Sequence, residues 1–168
     1  MTKHKCAFLT MLAGVLFSLP LAQAQTWSTV ASACEPGSDS LGLYVYSNGS
    51  FEFVSGETGK IATRCPVNNP MDKGVPSWKT LTVGFQDPDG RDGVYEVQGS
   101  LERVAKSTGV HQIIVTLDSD QYVTTEKTSE SVPFKHTFNF TDYAYYVLLN
   151  VSRNDSDFIP SVWFASLQ

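Results

Sequence analysis

Hydrophobic positions in this chain recur with a period of two far more often than with a period of 3.6. "LGLYVYS" (41–47) and "SFEFVS" (50–55) alternate apolar and polar residues on either side of Asn48-Gly49. Alternation of this kind marks a strand with one buried face, and Asn-Gly between two such runs predicts a two-residue hairpin. "TWSTVASA" (26–33), "GKIATRC" (59–65), "KTLTVGFQ" (79–86), "GVYEVQGSLERVA" (93–105), "VHQIIVTLD" (110–118), "FKHTFNF" (134–140), "YAYYVLLNVS" (143–152) and "FIPSVWFASL" (158–167) read the same way. About ten strands are therefore expected, and no helix. "VNNPMDKGVPSW" (67–78) holds two prolines and a glycine and is expected to be a long loop.

Many short strands at this spacing predict an all-β fold, an antiparallel β-sandwich of jelly-roll type. Tyr143, Tyr145, Val147, Leu149 and Val151 share one face of their strand, and Tyr146 and Leu148 lie on the other. A strand apolar on both sides near its middle is expected to be central. Pro160 cannot donate to a ladder, so it is expected at an edge or at a strand entrance.

The chain begins with Lys3 and Lys5, an apolar run from Cys6 to Leu19, and Ala22-Gln23-Ala24. This is the layout of a secretory signal peptide, residues 1–24, cut after Ala24. The run is shorter than the ~20 residues a membrane span needs, so no membrane insertion is expected once the leader is removed. Removing residues 1 to 24 from 168 leaves 144, a single domain over 25–168. The two lysines leave with the leader, which takes the formal charge from −5 to −7. A negative chain without a cluster of Lys and Arg excludes nucleic acid as a partner. Cys34 and Cys65 remain, and in an exported chain an even count predicts a disulfide. A cysteine metal site would need about four ligands at short spacing, and the chain has neither CxxC nor CxxH. The expected location is periplasmic or extracellular.

"QDPDGRDG" (86–93) raises the possibility of a bound cation. Tested from Asp87 as an EF-hand-type Ca²⁺ loop, it fails at positions 5, 6 and 12, which hold Arg91, Asp92 and Gln98. Taken alone it reads as a turn, with Pro88 fixing φ and the glycines supplying left-handed conformations. Strand parity adds to this. If each strand from Lys79 onward reverses the one before it, the connections 87–92, 118–131 and 153–157 share one end. They carry Asp87, Asp89, Asp92, Asp118, Asp120, Asp155 and Asp157, against only Asp142 at the other end. Such a cluster must be solvated, neutralised by Arg91 and Arg153, or bridged by a cation such as Ca²⁺. The same parity count places Cys34 and Cys65 at opposite ends, which a disulfide does not tolerate. The bond takes precedence, so either 35–42 crosses between sheets or 26–33 is not a regular strand.

Other chemistry is thinner. "GETGK" (56–60) lacks the spacing of a phosphate loop. His111 and His136 fall on strands and are expected to be structural. No G-x-S-x-G occurs, and the carboxylate pair of a small secreted hydrolase has no sequence signature. Of the three tryptophans, Trp78 ends the Pro/Gly-rich loop and is expected to be exposed, a candidate ring for stacking on a sugar. The sequons at Asn48, Asn139, Asn150 and Asn154 matter only in a eukaryotic secretory pathway.

Cys34-Glu35-Pro36, "TGKIATRCPV" (58–67) and "VGFQDPDG" (83–90) together resemble a loosely defined set of small exported bacterial proteins of unassigned function. The resemblance implies one disulfide and a β fold, and carries no activity. The expectation is a secreted non-catalytic binding or structural module with a protein or carbohydrate partner. The alternatives are a Ca²⁺-dependent module with its ion at the acidic end and a small hydrolase.

Overall fold

The computed structural model describes residues 25–71 and 74–168; the expected leader, 1–24, lies outside them. Eleven strands form two antiparallel sheets. They are β1 (Trp27–Val30), β2 (Glu35–Pro36), β3 (Tyr44–Ser47), β4 (Ser50–Phe53), β5 (Gly59–Val67), β6 (Thr80–Gln86), β7 (Tyr95–Ala105), β8 (His111–Asp118), β9 (Thr128–Pro133), β10 (Tyr143–Arg153) and β11 (Ser161–Leu167). One sheet runs β3-β4-β11-β6-β9, with β1 also paired to β11; the other runs β2-β5-β10-β7-β8.

The pairings are nested. β4 pairs with β11, β5 with β10, β6 with β9 and β7 with β8, all antiparallel. This is one long hairpin of strands, closed by β7 and β8 side by side in one sheet and rolled so that the strands on either arm alternate between layers, which is the jelly-roll topology. The alternation along each strand points its apolar set inward: Leu81, Val83 and Phe85 of β6 meet Val97, Leu101, Val147, Leu149 and Val151 of the facing sheet in one core. β10 lies between β5 and β7, as its two-sided apolar pattern predicts. Pro160 immediately precedes β11, at the entrance of a central strand and not at an edge.

Cys34 and Cys65 form a disulfide with Cα atoms 4.5 Å apart. The parity conflict resolves because the expected strand 26–33 ends at Val30 in a 3-10 turn, Ala31–Ala33. The chain then enters the other sheet as β2, beside β5, before returning as β3. Closing the 31-residue separation restricts the unfolded chain by about 3.5 kcal/mol in a loop-entropy account.

Two expectations are corrected. Residues 134–140 pair with no strand among the described residues, although Phe134 and Phe138 are buried and their neighbours are not. Their alternation records burial of one side of an extended crossover between the sheets. The ladder partner of β6 is instead β9, within the segment expected to be a connection; its outward Ser129 and Ser131 leave it too polar for the pattern to stand out.

Gly99 sits where the sheets approach most closely. A Cβ there would come within 2.5 Å of Val83 Cγ2 on the opposite sheet. Gly99→Ala should therefore lower the unfolding free energy by about 1–3 kcal/mol through overpacking, measured by urea titration with the disulfide intact. A cost under ~0.5 kcal/mol would show that the sheets are looser here than described.

Candidate functional site

The six strands β6 to β11 alternate in direction, so the connections 87–94, 119–127 and 154–160 share one end of the sandwich. Asp87 follows β6 directly and is fully buried, at 0% exposure. The loop turns back through Gly90 (φ 70°) and Gly93 (φ 66°), conformations that glycine adopts without strain. Asp118 ends β8 and accepts from the Asp120 amide at 3.1 Å, which starts a 3-10 turn over Ser119–Gln121. That turn directs Ser119 inward. Its hydroxyl donates to Asp87 Oδ2 and accepts from the Val97 amide at 2.9 Å. Asp89 Oδ2 accepts from the amides of Val94 (2.8 Å) and Tyr95 (3.2 Å).

Asp87, Asp89 and Asp120 thus converge. Burial above all, then a side-chain hydrogen bond with the Asp89 carboxyl, push Asp87 up to about 7; the Ser119 hydroxyl works in the opposite direction, and the Asp89 and Asp120 charges add to the rise. Asp120 is also raised, by burial and then by Asp118, Glu96 and Asp89. Carboxylate oxygens of Glu96, Asp118 and Asp120 lie within 4.8 Å of one another. Asp92, Asp155 and Asp157 are exposed; Asp155 Oδ1 accepts from the Asp157 amide at 2.8 Å, closing a local turn. Neither arginine neutralises the cluster. Arg91 donates to the Gln121 carbonyl, and Arg153 is buried against the carbonyls of Val54, Glu57 and Ser156. Sequence reasoning missed Glu96 and Ser119. Glu96 could have been found as the first outward position of the strand leaving the loop, whereas a serine between two aspartates carries no signal.

A second feature lies on the outer face of the six-stranded sheet. The register between β11 and β6 slips between Val162 and Phe164, so Trp163 is an unpaired bulge residue. Its indole and the Phe164 ring lie over Gly84 of β6: a Cβ there would fall 2.4 Å from Trp163 Nε1 and 2.3 Å from Phe164 Cε1. Ser47, Asn48, Ser50, Glu52, Lys127 and Trp163 line a depression of about 330 Å³. The type I′ geometry of Asn48 (φ 49°) and Gly49 (φ 88°) holds one rim, and Lys127 Nζ stands 5.8 Å from the Trp163 ring centroid. The Ser50 hydroxyl donates to Glu52 Oε1 at 2.6 Å.

On the outer face of the other sheet, Glu102 is buried and fully engaged. Ser100 donates to Oε1 at 2.5 Å, Tyr146 to Oε2 at 2.6 Å, and His111 Nε2 also contacts Oε2. Burial would raise its pKa, but these hydrogen bonds and the His111 charge outweigh it and hold the carboxyl below the usual range. Burial and then Glu102 push Tyr146 up to about 12. His136 bonds the Tyr145 hydroxyl at 3.1 Å, and burial lowers its pKa, with Arg103 adding to the effect.

Trp78 is not exposed. At 1% exposure it packs edge-on against Phe138, with ring centroids 5.1 Å apart, and its Nε1 donates to the Gln25 carbonyl at 2.5 Å. It joins the aromatic cluster of Phe134, Phe138 and Tyr145, so a loop-terminal tryptophan fills the core. The half-buried Trp163, which the sequence did not single out, is the ring on the sheet surface.

No protein-family model and no curated protein matches the chain. Among solved structures, it is similar to the CBM36-1 domain of a multidomain xylanase from the hindgut metagenome of Trinervitermes trinervoides (TM-score 0.47, 9% identity, covering 86% of this chain and 97% of that one). It is also similar to a xylan-binding module, CBM86, from Roseburia intestinalis (0.44, 9%, 86% and 95%). A family two carbohydrate esterase from Cellvibrio japonicus aligns at 0.42 and 10% identity over 85% of this chain, which spans about a third of the esterase (33%). Similarities at this level assign no function to the chain.

The raised Asp87 has a consequence for stability. Between its ordinary value of 3.8 and about 7, the native state holds a proton that the unfolded chain has released. Its contribution to stability therefore falls as pH rises through that interval. In chelator-treated buffer the melting temperature of the wild type relative to Asp87→Asn should decline from pH 4 to pH 7 and level off above. A constant difference across that range would contradict the burial of this carboxyl.

Proposed function

We propose that the protein is an exported, non-catalytic module that binds carbohydrate on the outer face of its six-stranded sheet, with Trp163 as the stacking platform. The observation that carries this reading is the Trp163 indole, lying over a glycine whose missing side chain is what lets the ring approach the sheet. Sugar rings present flat C–H faces that pack on an indole, while their hydroxyls take hydrogen bonds from groups around the rim. The depression supplies both kinds of contact: the ring at one side, and the Glu52 carboxylate, Asn48 amide, Lys127 ammonium and serine hydroxyls around it.

A non-catalytic role is supported by how the buried acid–base groups are used. Glu102 has both oxygens taken by three donors and is held ionised, which suits a fixed structural anion better than a proton donor. His136 spends Nε2 on Tyr145 and, among the described residues, has no carboxylate partner. The Cys34–Cys65 disulfide fits an oxidising, extracytoplasmic location.

The test is affinity electrophoresis of the disulfide-bonded protein through gels containing soluble plant and microbial polysaccharides, followed by calorimetry with oligosaccharides of any that retards it. Trp163→Ala should weaken binding at least about tenfold, equivalent to ~1.4 kcal/mol, with the melting temperature little changed. Tyr146→Phe, on the opposite face, should bind as the wild type does. Migration unaffected by every polysaccharide, or retention undiminished in Trp163→Ala, would overturn the reading.

A further inference from the structure

We propose that the β6–β7 and β8–β9 connections are the two halves of a Ca²⁺ site centred on Glu96, Asp118 and Asp120, whose carboxylate oxygens lie within 4.8 Å of one another, with Asp87 and Asp89 adjoining Asp120. Clustered aspartates on turns are ordinary, and on their own they indicate a solvated surface. The distinguishing observation is Asp87: it is fully buried, and its Oδ1 has no hydrogen-bond partner. The Oδ1 atoms of Asp89 and Asp120 are likewise buried without a partner. Five buried side-chain polar atoms among the described residues lack a partner, and three of them are these oxygens. Buried acceptors are almost always satisfied in native proteins, so three orphans on neighbouring carboxyls point to a group that supplies what the protein does not.

The anchoring of the carboxylates agrees with this. Asp87 uses Oδ2 on Ser119, and Asp89 uses Oδ2 on two backbone amides. Each is thereby fixed to the scaffold through one oxygen, and beyond that the two carboxyls meet only each other. Ligating carboxylates are likewise held for a metal with one oxygen on the scaffold and one on the ion. Asp120 comes from the other connection, positioned by the turn that Asp118 starts. Glycine at 93 keeps the approach open, because a Cβ there would stand 3.3 Å from Asp120 Oδ2.

Charge points the same way. Among the described residues no lysine, arginine or histidine pairs with any of these carboxylates, and the one ion pair found is His111 with Glu102. Five acidic side chains without a cationic partner repel one another, and the partly buried position strengthens the repulsion. A divalent ion answers both the orphaned oxygens and the uncompensated charge.

The donor set selects the ion. Every candidate ligand is a carboxylate oxygen, with neither histidine nor cysteine among them, which disfavours zinc and copper. Ca²⁺ accepts six to eight oxygens at flexible geometry, whereas Mg²⁺ demands a near-ideal octahedron and keeps its waters. Ligands drawn from two loops and a strand, in irregular disposition, suit Ca²⁺. Each connection joins one sheet to the other, so the ion would clamp the two layers together at this end.

The experiment uses disulfide-bonded protein recovered from an oxidising compartment, stripped with EGTA and melted with EGTA, 1 mM Ca²⁺ or 1 mM Mg²⁺. Ca²⁺ should raise the melting temperature by about 5–10 °C, the shift expected for a ligand at a hundred times its dissociation constant; Mg²⁺ should raise it far less. Asp87→Asn and Asp120→Asn should each abolish the Ca²⁺ shift. At pH 8 Asp87→Asn should still fold and melt in EGTA no lower than the wild type, because it removes one of several crowded carboxyls from the bare site. Asp157→Asn, outside the cluster, should keep the full shift. Equal wild-type midpoints in Ca²⁺ and EGTA, an equal response to Mg²⁺, a shift retained by Asp87→Asn, or a shift lost in Asp157→Asn would each overturn the assignment. Sugar retention by Trp163 is read out separately, so either proposal can fail without the other.

Discussion

A two-layered sandwich must bury one face of every strand while leaving no backbone polar group stranded between the layers. In this chain the nested pairing of β4 with β11, β5 with β10, β6 with β9 and β7 with β8 meets that constraint. From β4 to β11 each successive strand crosses to the other layer except at the β7–β8 hairpin, so the remaining connections are inter-sheet links, and alternate connections fall at one end. The gathering of Asp87, Asp89 and Asp120 is a direct consequence. They are separated by up to 33 positions along the chain and meet because the roll has only two ends.

Close approach of the layers is the second consequence. Gly99 marks the point where Val83 of the facing sheet occupies the space of a side chain, and Gly84 does the equivalent on the outer surface beneath Trp163 and Phe164. Both glycines act by the volume they leave vacant, one for core packing and one for a surface ring. The bulge at Trp163 completes the second arrangement, since an unpaired residue is freed from the ladder's strict alternation.

The two most buried acidic groups contrast sharply. Glu102 receives three hydrogen bonds, and its pKa is lowered in spite of burial. Asp87 receives one hydroxyl and faces two further carboxylates, and its pKa rises to about 7. Burial raises both; what separates them is the number of donors aimed at the anion. A satisfied carboxylate is architecture, and an unsatisfied one among like charges is a place for a ligand.

Strand alternation, the Asn48-Gly49 hairpin and the central position of β10 could all be read from residue order, because they depend on local periodicity and turn chemistry. The Cys34–Cys65 bond and the common end of the acidic loops followed from counting cysteines and strand reversals. Other features could not be read this way. β9 hid behind its serines, and the aromatic crossover 134–140 imitated a strand, since alternation reports burial whether or not a ladder forms. Trp78 looked loop-borne and exposed and is core, while Trp163, which nothing in residue order set apart, lies on a sheet face. The sequence by itself determined that this is a disulfide-bonded β protein with acid concentrated on its turns. Only the tertiary structure decided which of seven aspartates meet, which of their oxygens go unsatisfied, and which tryptophan faces outward. Those properties depend on distances between residues far apart in the chain, and residue order does not encode such distances locally.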